Sequence, residues 1–334
     1  MMRKIFMLIG FSIVSFMCSG QQTYYNQTRQ TQFLNPSYYG INGKSFAGVS
    51  YNSLSYKTNE KIDSKIFYGA VSFENANFSL GIDFNNFQIN TYGLVNNTIN
   101  LTYVYRVKLL NEMYFLPGLS VGVGFNQIEN PDLIFGDQLN LLTGSIATSS
   151  SDPLFFSELS TNFFDLGASA LIYNESFMFG VALKHLNSPD ISYNQEFELK
   201  RPISFSGVIA YERDINYFGR SFLPENSYLY LIASLYSTEN FMKVYAGQEL
   251  LLGGFSFGLH QLYTKNELSN AMLVGLNASV SVEQFEFSFG YNMPISQNLT
   301  VFPPNVFEIS MIVKFDRFLR NNKGFFKHLK TDNL

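Results

Sequence analysis

From residue 44 onward, apolar and polar side chains alternate with a period of two over segments of roughly ten residues. The clearest segment, 284–293, has three phenylalanines and a tyrosine at odd-numbered positions, with glutamate, serine, glycine and asparagine at the even-numbered positions between them. The segments 98–108 and 307–316 repeat this arrangement. Because successive side chains of a strand point to opposite faces, each segment predicts a β-strand with one apolar and one polar face.

The alternation predicts an all-β fold with about 14 strands. They lie near 44–56, 65–74, 78–88, 98–108, 114–126, 163–173, 176–186, 202–212, 227–237, 241–251, 254–264, 271–282, 284–293 and 307–316. After residue 20, no apolar run approaches the roughly 18 residues that a membrane-spanning helix needs. An even number of alternating strands is typical of a transmembrane antiparallel up-and-down β-barrel, here predicted over 44–316.

The connections between the predicted strands alternate between short and long. Short turns are predicted at 74–77, 109–113, 173–176, 252–254 and 282–284, with one longer turn at 213–226. The alternate connections include the long segment 127–162 and moderate loops at 186–201 and 293–306. Outer-membrane barrels have short periplasmic turns and longer outer loops, so this asymmetry predicts that both termini are periplasmic.

The first twenty residues, 1–20, have the organisation of a secretory signal peptide. A basic start is followed by an apolar stretch, 5–17, that is too short to span a bilayer. Cys18 and Gly20 then supply small residues before the cleavage site predicted after Gly20. The alternative, lipidation of Cys18, is disfavoured by the bulky phenylalanine and methionine that precede it.

Composition supports a membrane barrel and excludes several other classes. Aromatic residues make up 17% and charged residues only 14%, against roughly 25% charged residues in a typical soluble domain. Without the two basic residues of the signal, 20 basic residues face 26 acidic ones, so the mature chain carries −6 and is not a general nucleic-acid binder. If the single cysteine, Cys18, leaves with the signal, the mature chain can form neither disulfides nor cysteine metal sites.

The sequence predicts no cofactor, no metal site and no catalytic centre. None of the three histidines belongs to a metal-binding spacing. A surface hydrolase would need a serine activated by a histidine, and His185 with Ser188 is the one candidate pair. The Pro189–Asp190 sequence that follows indicates an ordinary turn instead. Gly122 and Gly124 lie within an alternating strand, where glycine makes room for neighbouring side chains or an inserted segment.

Charged residues on the polar face of the strands allow two interpretations. They pair with one another in a filled or watery lumen, or they form a path or docking surface for a polar ligand or peptide. These residues are Asp83, Arg106, Lys108, Asp165, Lys184, Glu286, Glu308 and Lys314.

Short motifs in a fixed order carry a resemblance to one family. Gln32–Gly40 contains Asn-Pro-Ser-Tyr-Tyr-Gly, and Asn100–Lys108 and Gly180–Pro189 follow. Phe289–Asn292 and Phe307–Ser310 complete the series. Together they resemble the PorP/SprF family of outer-membrane proteins. The family's Arg-x-x-Trp pattern in the first strand has no counterpart here, since the chain contains no tryptophan.

The resemblance implies a role in the type IX secretion system and in gliding motility, without catalysis. The expected partners are outer-membrane lipid, the C-terminal domain of a large secreted surface adhesin, and other type IX secretion components. Segment 21–43 is expected to fold into or beneath the barrel, and 317–334 to form a basic periplasmic tail. A porin-like channel for small solutes is the alternative. The residues predicted to bind a partner are Asn35, Pro36, Tyr38, Gly40, Arg106, His185, Glu286 and Glu308.

Overall fold

Fourteen β-strands form the protein, as the computed structural model shows. It describes residues 25–56, 60–90, 93–109, 112–128, 137–139, 143–149, 160–193, 198–219, 222–266, 270–295 and 303–315. The strands are β1 (Phe46–Ser55), β2 (Lys61–Phe73), β3 (Phe78–Ile89), β4 (Leu94–Tyr105, continued by Val107–Lys108), β5 (Tyr114–Ile128), β6 (Ser160–Tyr173), β7 (Phe177–Lys184), β8 (Ser204–Asp214), β9 (Ser227–Ser237), β10 (Phe241–Leu252), β11 (Phe255–Asn266), β12 (Asn270–Val282), β13 (Phe285–Pro294) and β14 (Asn305–Lys314). The predicted signal peptide and the basic tail lie outside the described residues.

The strands form one closed ring. Each strand pairs antiparallel with its neighbours in chain order. The ring closes where β1 pairs with β14, from Phe46 opposite Lys314 to Ser55 opposite Asn305. This closed fourteen-stranded antiparallel β-barrel confirms the fold predicted from the alternation. Closure means that every described strand of the ring has a paired neighbour on both sides, as a bilayer requires.

Several strands extend beyond their predicted bounds. β2 begins at Lys61 rather than near 65, and β4 begins at Leu94 rather than near 98. In these extensions polar residues occupy both faces, so the alternation of apolar and polar side chains disappears although backbone pairing continues. Asn86 and Asn97 lie opposite each other there, and their side-chain amides hydrogen bond at 2.8 Å.

The two ends of the barrel differ. The connections 74–77, 109–113, 174–176, 253–254 and 283–284 are short, and we call this the turn end. One connection there, 215–226, is longer. The segments 129–159 and 185–203 connect strands at the opposite, loop end. Among the described residues, no helix is long and apolar enough to cross a membrane.

Apolar side chains cover the outside of the ring, whereas the inside carries polar side chains together with buried apolar ones that pack against the N-terminal segment. On β13 the phenylalanines and Tyr291 are 38–47% exposed, whereas Glu286 is 4% and Asn292 is 1% exposed. Aromatic rings also stack along the outer surface, as Phe73 does on Phe78 at 4.7 Å between ring centroids. This distribution matches a barrel whose outer face contacts lipid hydrocarbon.

The lumen is occupied by residues 25–43, which we call the plug. It contains the short 3-10 helices Thr31–Phe33 and Pro36–Gly43, the second interrupted at Ile41 and Asn42. Asn35 caps the second helix because its side-chain oxygen accepts a hydrogen bond from the Ser37 backbone N–H at 3.0 Å. Pro36 suits the first helical position, where a backbone donor is not needed.

Candidate functional site

The plug follows a folded path through the lumen. Tyr25 packs in an apolar cluster with Leu54 and Val306, which lie toward the loop end of their strands. The chain then runs to the turn-end half at Arg29 and returns toward the loop end at Phe33. It finally reaches the turn end at Gly43, immediately before β1.

Arg29 is the charged centre of the plug. Its guanidinium is 1% exposed and lies between two carboxylates of the barrel wall. It forms an ion pair with Glu249 and a second one with Glu286, in which Nε lies 2.8 Å from Oε1. Ser256 Oγ accepts a further hydrogen bond at 2.8 Å. Lys314 also binds Glu286, at 2.7 Å, so the plug and three strands share one charge network.

Glu308 forms a second attachment point for the plug. The Asn26 backbone N–H donates to Glu308 Oε2 at 3.2 Å, and the Gln30 side-chain amide donates to Oε1 at 2.9 Å. The same amide group donates to Ser50 Oγ at 2.8 Å. Glu308 lies on β14 and Ser50 on β1, so these contacts lie on both sides of the position where the ring closes.

The Asn35–Gly40 part of the plug contacts the opposite wall closely. Asn35 Nδ2 donates to the backbone oxygens of Ala170 and Val181 at 3.0 and 3.1 Å. Gly40 lies so close to Val104 that an added Cβ would be 2.6 Å from Val104 Cγ1. A side chain at position 40 would therefore push the plug off the wall.

The eight residues predicted to bind a partner all lie in the plug or on the wall around it. Asn35, Pro36 and Gly40 are buried plug residues, and Tyr38 is partly buried there. Glu286 and Glu308 hold the plug as described above. The Arg106 guanidinium lies directly against Gly43, and buried His185 lies at the loop end of the lumen. The structure thus brings these residues together around the plug rather than on an exposed surface.

The charged residues of the polar face bind the plug more than they bind one another. Among those of the described wall, Glu286 and Lys314 form an ion pair. Asp83 accepts a hydrogen bond from plug residue Tyr39 at 3.3 Å, and Lys184 Nζ donates to the Phe33 backbone oxygen at 2.6 Å. Lys108 is exposed. Among the described residues, mutual pairing therefore accounts for Glu286 and Lys314, whereas Asp83 and Lys184 contact the plug that occupies part of the lumen.

Above the plug, toward the loop end, the wall surrounds an open cavity, which we call the loop-end cavity. It contains about 980 Å³ of empty volume, including the solvent at its mouth. Plug residues Phe33, Leu34 and Pro36 line it on one side. Its charged lining residues from the wall and the loop 185–203 are Asp83, Asp165, Lys184, Arg201 and Lys243, together with His185.

His185 is paired with an aspartate but not with a serine. Its Nδ1 lies 2.7 Å from Asp165 Oδ2. Burial lowers the pKa of His185 from its ordinary value although this hydrogen bond opposes the shift, so the neutral ring donates from Nδ1. Ser188 contacts His185 through its backbone N–H, which donates to the His185 oxygen at 2.9 Å. Within the described residues, the His185–Ser188 pair is not assembled as a nucleophile and its base.

Three important residues were not singled out from the sequence. Arg29 and Glu249 form the central ion pair, and Lys243 lines the loop-end cavity. Lys243 and Glu249 are six positions apart on one strand, so the alternation within 241–251 places both on one face. Arg29 precedes the strands and has no such periodic signal. No cluster of potential metal ligands occurs among the described residues.

A family model places the chain among known proteins. The model described as "Type IX secretion system membrane protein PorP/SprF" matches residues 17–313. The chain belongs to the PorP/SprF family. This confirms the resemblance carried by the ordered motifs, and the protein is an outer-membrane β-barrel of the type IX secretion system family. No curated protein matches the chain with significant similarity.

Solved structures with a similar shape are distant in sequence. Omp33 of Acinetobacter baumannii is 9% identical, with a TM-score of 0.45 over 82% of this chain and 100% of that one. A deltaS2S3 mutant of the monoaromatic hydrocarbon channel TodX is 8% identical, with a TM-score of 0.47 over 85% and 93%. The translocator domain of autotransporter NalP from Neisseria meningitidis is 12% identical, with a TM-score of 0.38 over 86% and 94%. These similarities carry no argument about function.

Proposed function

We propose that the protein is a non-enzymatic component of the type IX secretion system that binds, helps to secrete or anchors a large cell-surface adhesin through the adhesin's C-terminal domain. Its outer face contacts outer-membrane lipid, and other secretion components are its further partners. If the adhesin is one that the cell uses for gliding, the protein also contributes to gliding motility. Membership of the family supports the secretion role.

The filled lumen is the observation that favours a scaffold. Residues 25–43 occupy the interior, and Arg29, Asn35 and Gln30 bind wall groups on several strands. A barrel that is filled by its own chain has a rigid interior and a restricted path for solutes. Such a barrel is suited to presenting loops to a partner.

The proposed orientation places the turn end in the periplasm and the loop end at the cell surface. β1 begins and β14 ends at the turn end, so in this orientation the described barrel begins and ends on the periplasmic side. Short periplasmic turns support this orientation. Both termini are periplasmic in this proposal, and the first described residue, Tyr25, lies inside the lumen toward the loop end.

Deletion of the gene tests the adhesin role. We expect one or a few large proteins to disappear from the cell surface and to return when the wild-type gene is restored. The readout is the surface proteome of the two strains, together with mass spectrometry of proteins that co-purify with the barrel in mild detergent. An unchanged surface proteome in the deletion strain would refute the proposal.

A channel for small solutes is the second candidate, because the loop-end cavity opens into the lumen. Conductance across a planar lipid bilayer separates the two functions. The scaffold predicts little steady current from the purified protein. A large, stable current from the wild-type protein would favour the channel.

A further inference from the structure

Lys243 is a buried cation that the plug does not use. Its side chain points into the loop-end cavity from β10, and the residue is 4% exposed. Its Nζ lies 5.7 Å from the centroid of the Tyr236 ring. Within the part of the chain that the structure describes, no carboxylate or other acceptor binds this ammonium group. A buried ammonium without a counter-charge is costly, so an anion that binds here stabilises the charged form of Lys243.

Two more cations line the same cavity. Lys184 gives one N–H to the Phe33 backbone oxygen, and Arg201 lies over the Phe163 ring at 5.5 Å. Lys184 and Lys243 come from β7 and β10, strands that are separated by only two others in the ring. The cations therefore surround one region of the lumen.

The cavity also contains two carboxylates, but neighbouring groups already hydrogen bond to them. Asp83 accepts from Asn100 at 2.6 Å and from Tyr39, and Asp165 accepts from neutral His185. Among the described lining residues, three basic side chains accompany two carboxylates, an excess of one positive charge. A ligand with one negative charge neutralises this excess, whereas a dianion meets repulsion from Asp83 and Asp165.

We propose that the loop-end cavity is a binding site for a single carboxylate group, with the Lys243 ammonium as its principal partner. The apolar surface of Phe33, Leu34 and Phe241 accommodates the organic part of the ligand. The carboxylate belongs either to the C-terminus of a peptide or to a small organic acid that enters from the loop end. The proposal rests on the cavity alone and is independent of the adhesin role.

Isothermal titration calorimetry on the purified full-length protein in detergent tests the site. The probes are acetylated trialanine with a free C-terminal carboxylate, the same peptide with an amidated C-terminus, propionate and inorganic phosphate. We expect at least one carboxylate probe to bind and the amidated peptide not to bind. Binding of propionate alone identifies a small acid as the source, and binding of the free-acid peptide alone identifies a chain terminus.

Lysine variants assign the binding to the cavity. Lys243→Met should weaken carboxylate binding about tenfold or more, as expected for the loss of a hydrogen bond to a charged group. Lys265→Met is the matched control, because Lys265 pairs with Met242 on the neighbouring strand and is exposed rather than directed into the cavity. This control should bind normally. Lys243→Arg should retain binding, and heat-modifiable electrophoretic mobility verifies that each variant is folded.

Several results would overturn the site. The proposal is wrong if neither carboxylate probe binds, or if the free and amidated peptides bind equally well. It is also wrong if phosphate binds as well as the carboxylates. Unchanged affinity in folded Lys243→Met would exclude Lys243 as the partner. If Lys243→Met fails to fold, a loss of binding in folded Lys243→Arg decides against the proposal, and retained binding in that variant supports it.

Discussion

Replacement of Arg29 by methionine should release the plug from the barrel wall. Methionine preserves much of the side-chain volume but removes the charge that lies between Glu249 and Glu286. Glu286 keeps its ion pair with Lys314, whereas Glu249 loses the guanidinium while it remains buried. The main cost of the substitution is therefore the loss of the guanidinium that neutralises the buried Glu249 carboxylate.

The expected cost follows from the burial of this pair. Breaking a buried ion pair by removing one partner destabilises a protein by about 3–5 kcal/mol. Because about 1.4 kcal/mol corresponds to a tenfold change in an equilibrium constant, local opening of the plug should become roughly 10² to 4 × 10³ times more frequent. Arg29→Met combined with Glu249→Gln should recover part of this loss, since the remaining amide carries no charge.

Hydrogen–deuterium exchange with mass spectrometry on the detergent-solubilised protein measures the opening of the plug. Amides of Phe33, Leu34 and Asn35 donate hydrogen bonds within the plug and are suitable reporters. They should exchange faster in Arg29→Met, whereas the barrel strands should not change. Arg213→Met, at an exposed position, is the control. Exchange within about threefold of the wild type in Arg29→Met would refute the assigned role, because it corresponds to less than about 1 kcal/mol.

Two further predictions concern packing and orientation. Gly40→Ala should lower the free energy of unfolding by about 1–3 kcal/mol because its Cβ would overlap Val104. In the control Gly207→Ala, the nearest atoms lie at 3.7 Å, and denaturant titration should show little change. A membrane-impermeant maleimide should label Ser145→Cys in intact cells, but Gln284→Cys only after the outer membrane is permeabilised. The reverse labelling pattern would invert the proposed orientation.

The barrel could be predicted from the sequence because its signal is local and repeated. Each lipid-facing position in a segment such as 284–293 is apolar, and each lumen-facing position is small or polar. The fourteen predicted strands all occur. The predicted first and last residues differ from the observed ones chiefly at the rims of the barrel. At the rims, as at Asn86 and Asn97, both faces of the strand carry polar side chains. The alternation of apolar and polar residues therefore no longer indicates where the strand begins.

The arrangement around the plug was less accessible to sequence reasoning. Arg29 meets Glu249 across 220 residues of sequence, and no periodic pattern relates a plug residue to a wall residue. The Asn35-Pro36 motif contributed to the family resemblance, but the carbonyl groups that bind Asn35 belong to strands more than 130 residues away. Family motifs located part of the plug without indicating which wall residues hold it.

The position of the plug also constrains the order of assembly. The plug precedes β1 in the chain, while Glu308, which binds Asn26 and Gln30, belongs to the last strand. If the ring closed first, the Arg29 guanidinium would have to be threaded past the narrow interior to reach Glu249. An open sheet that folds around the plug avoids this passage, and β14 then completes the ring and the plug contacts in one step. In that order of assembly, the plug is already in place when β14 pairs with β1 and Glu308 meets Asn26 and Gln30.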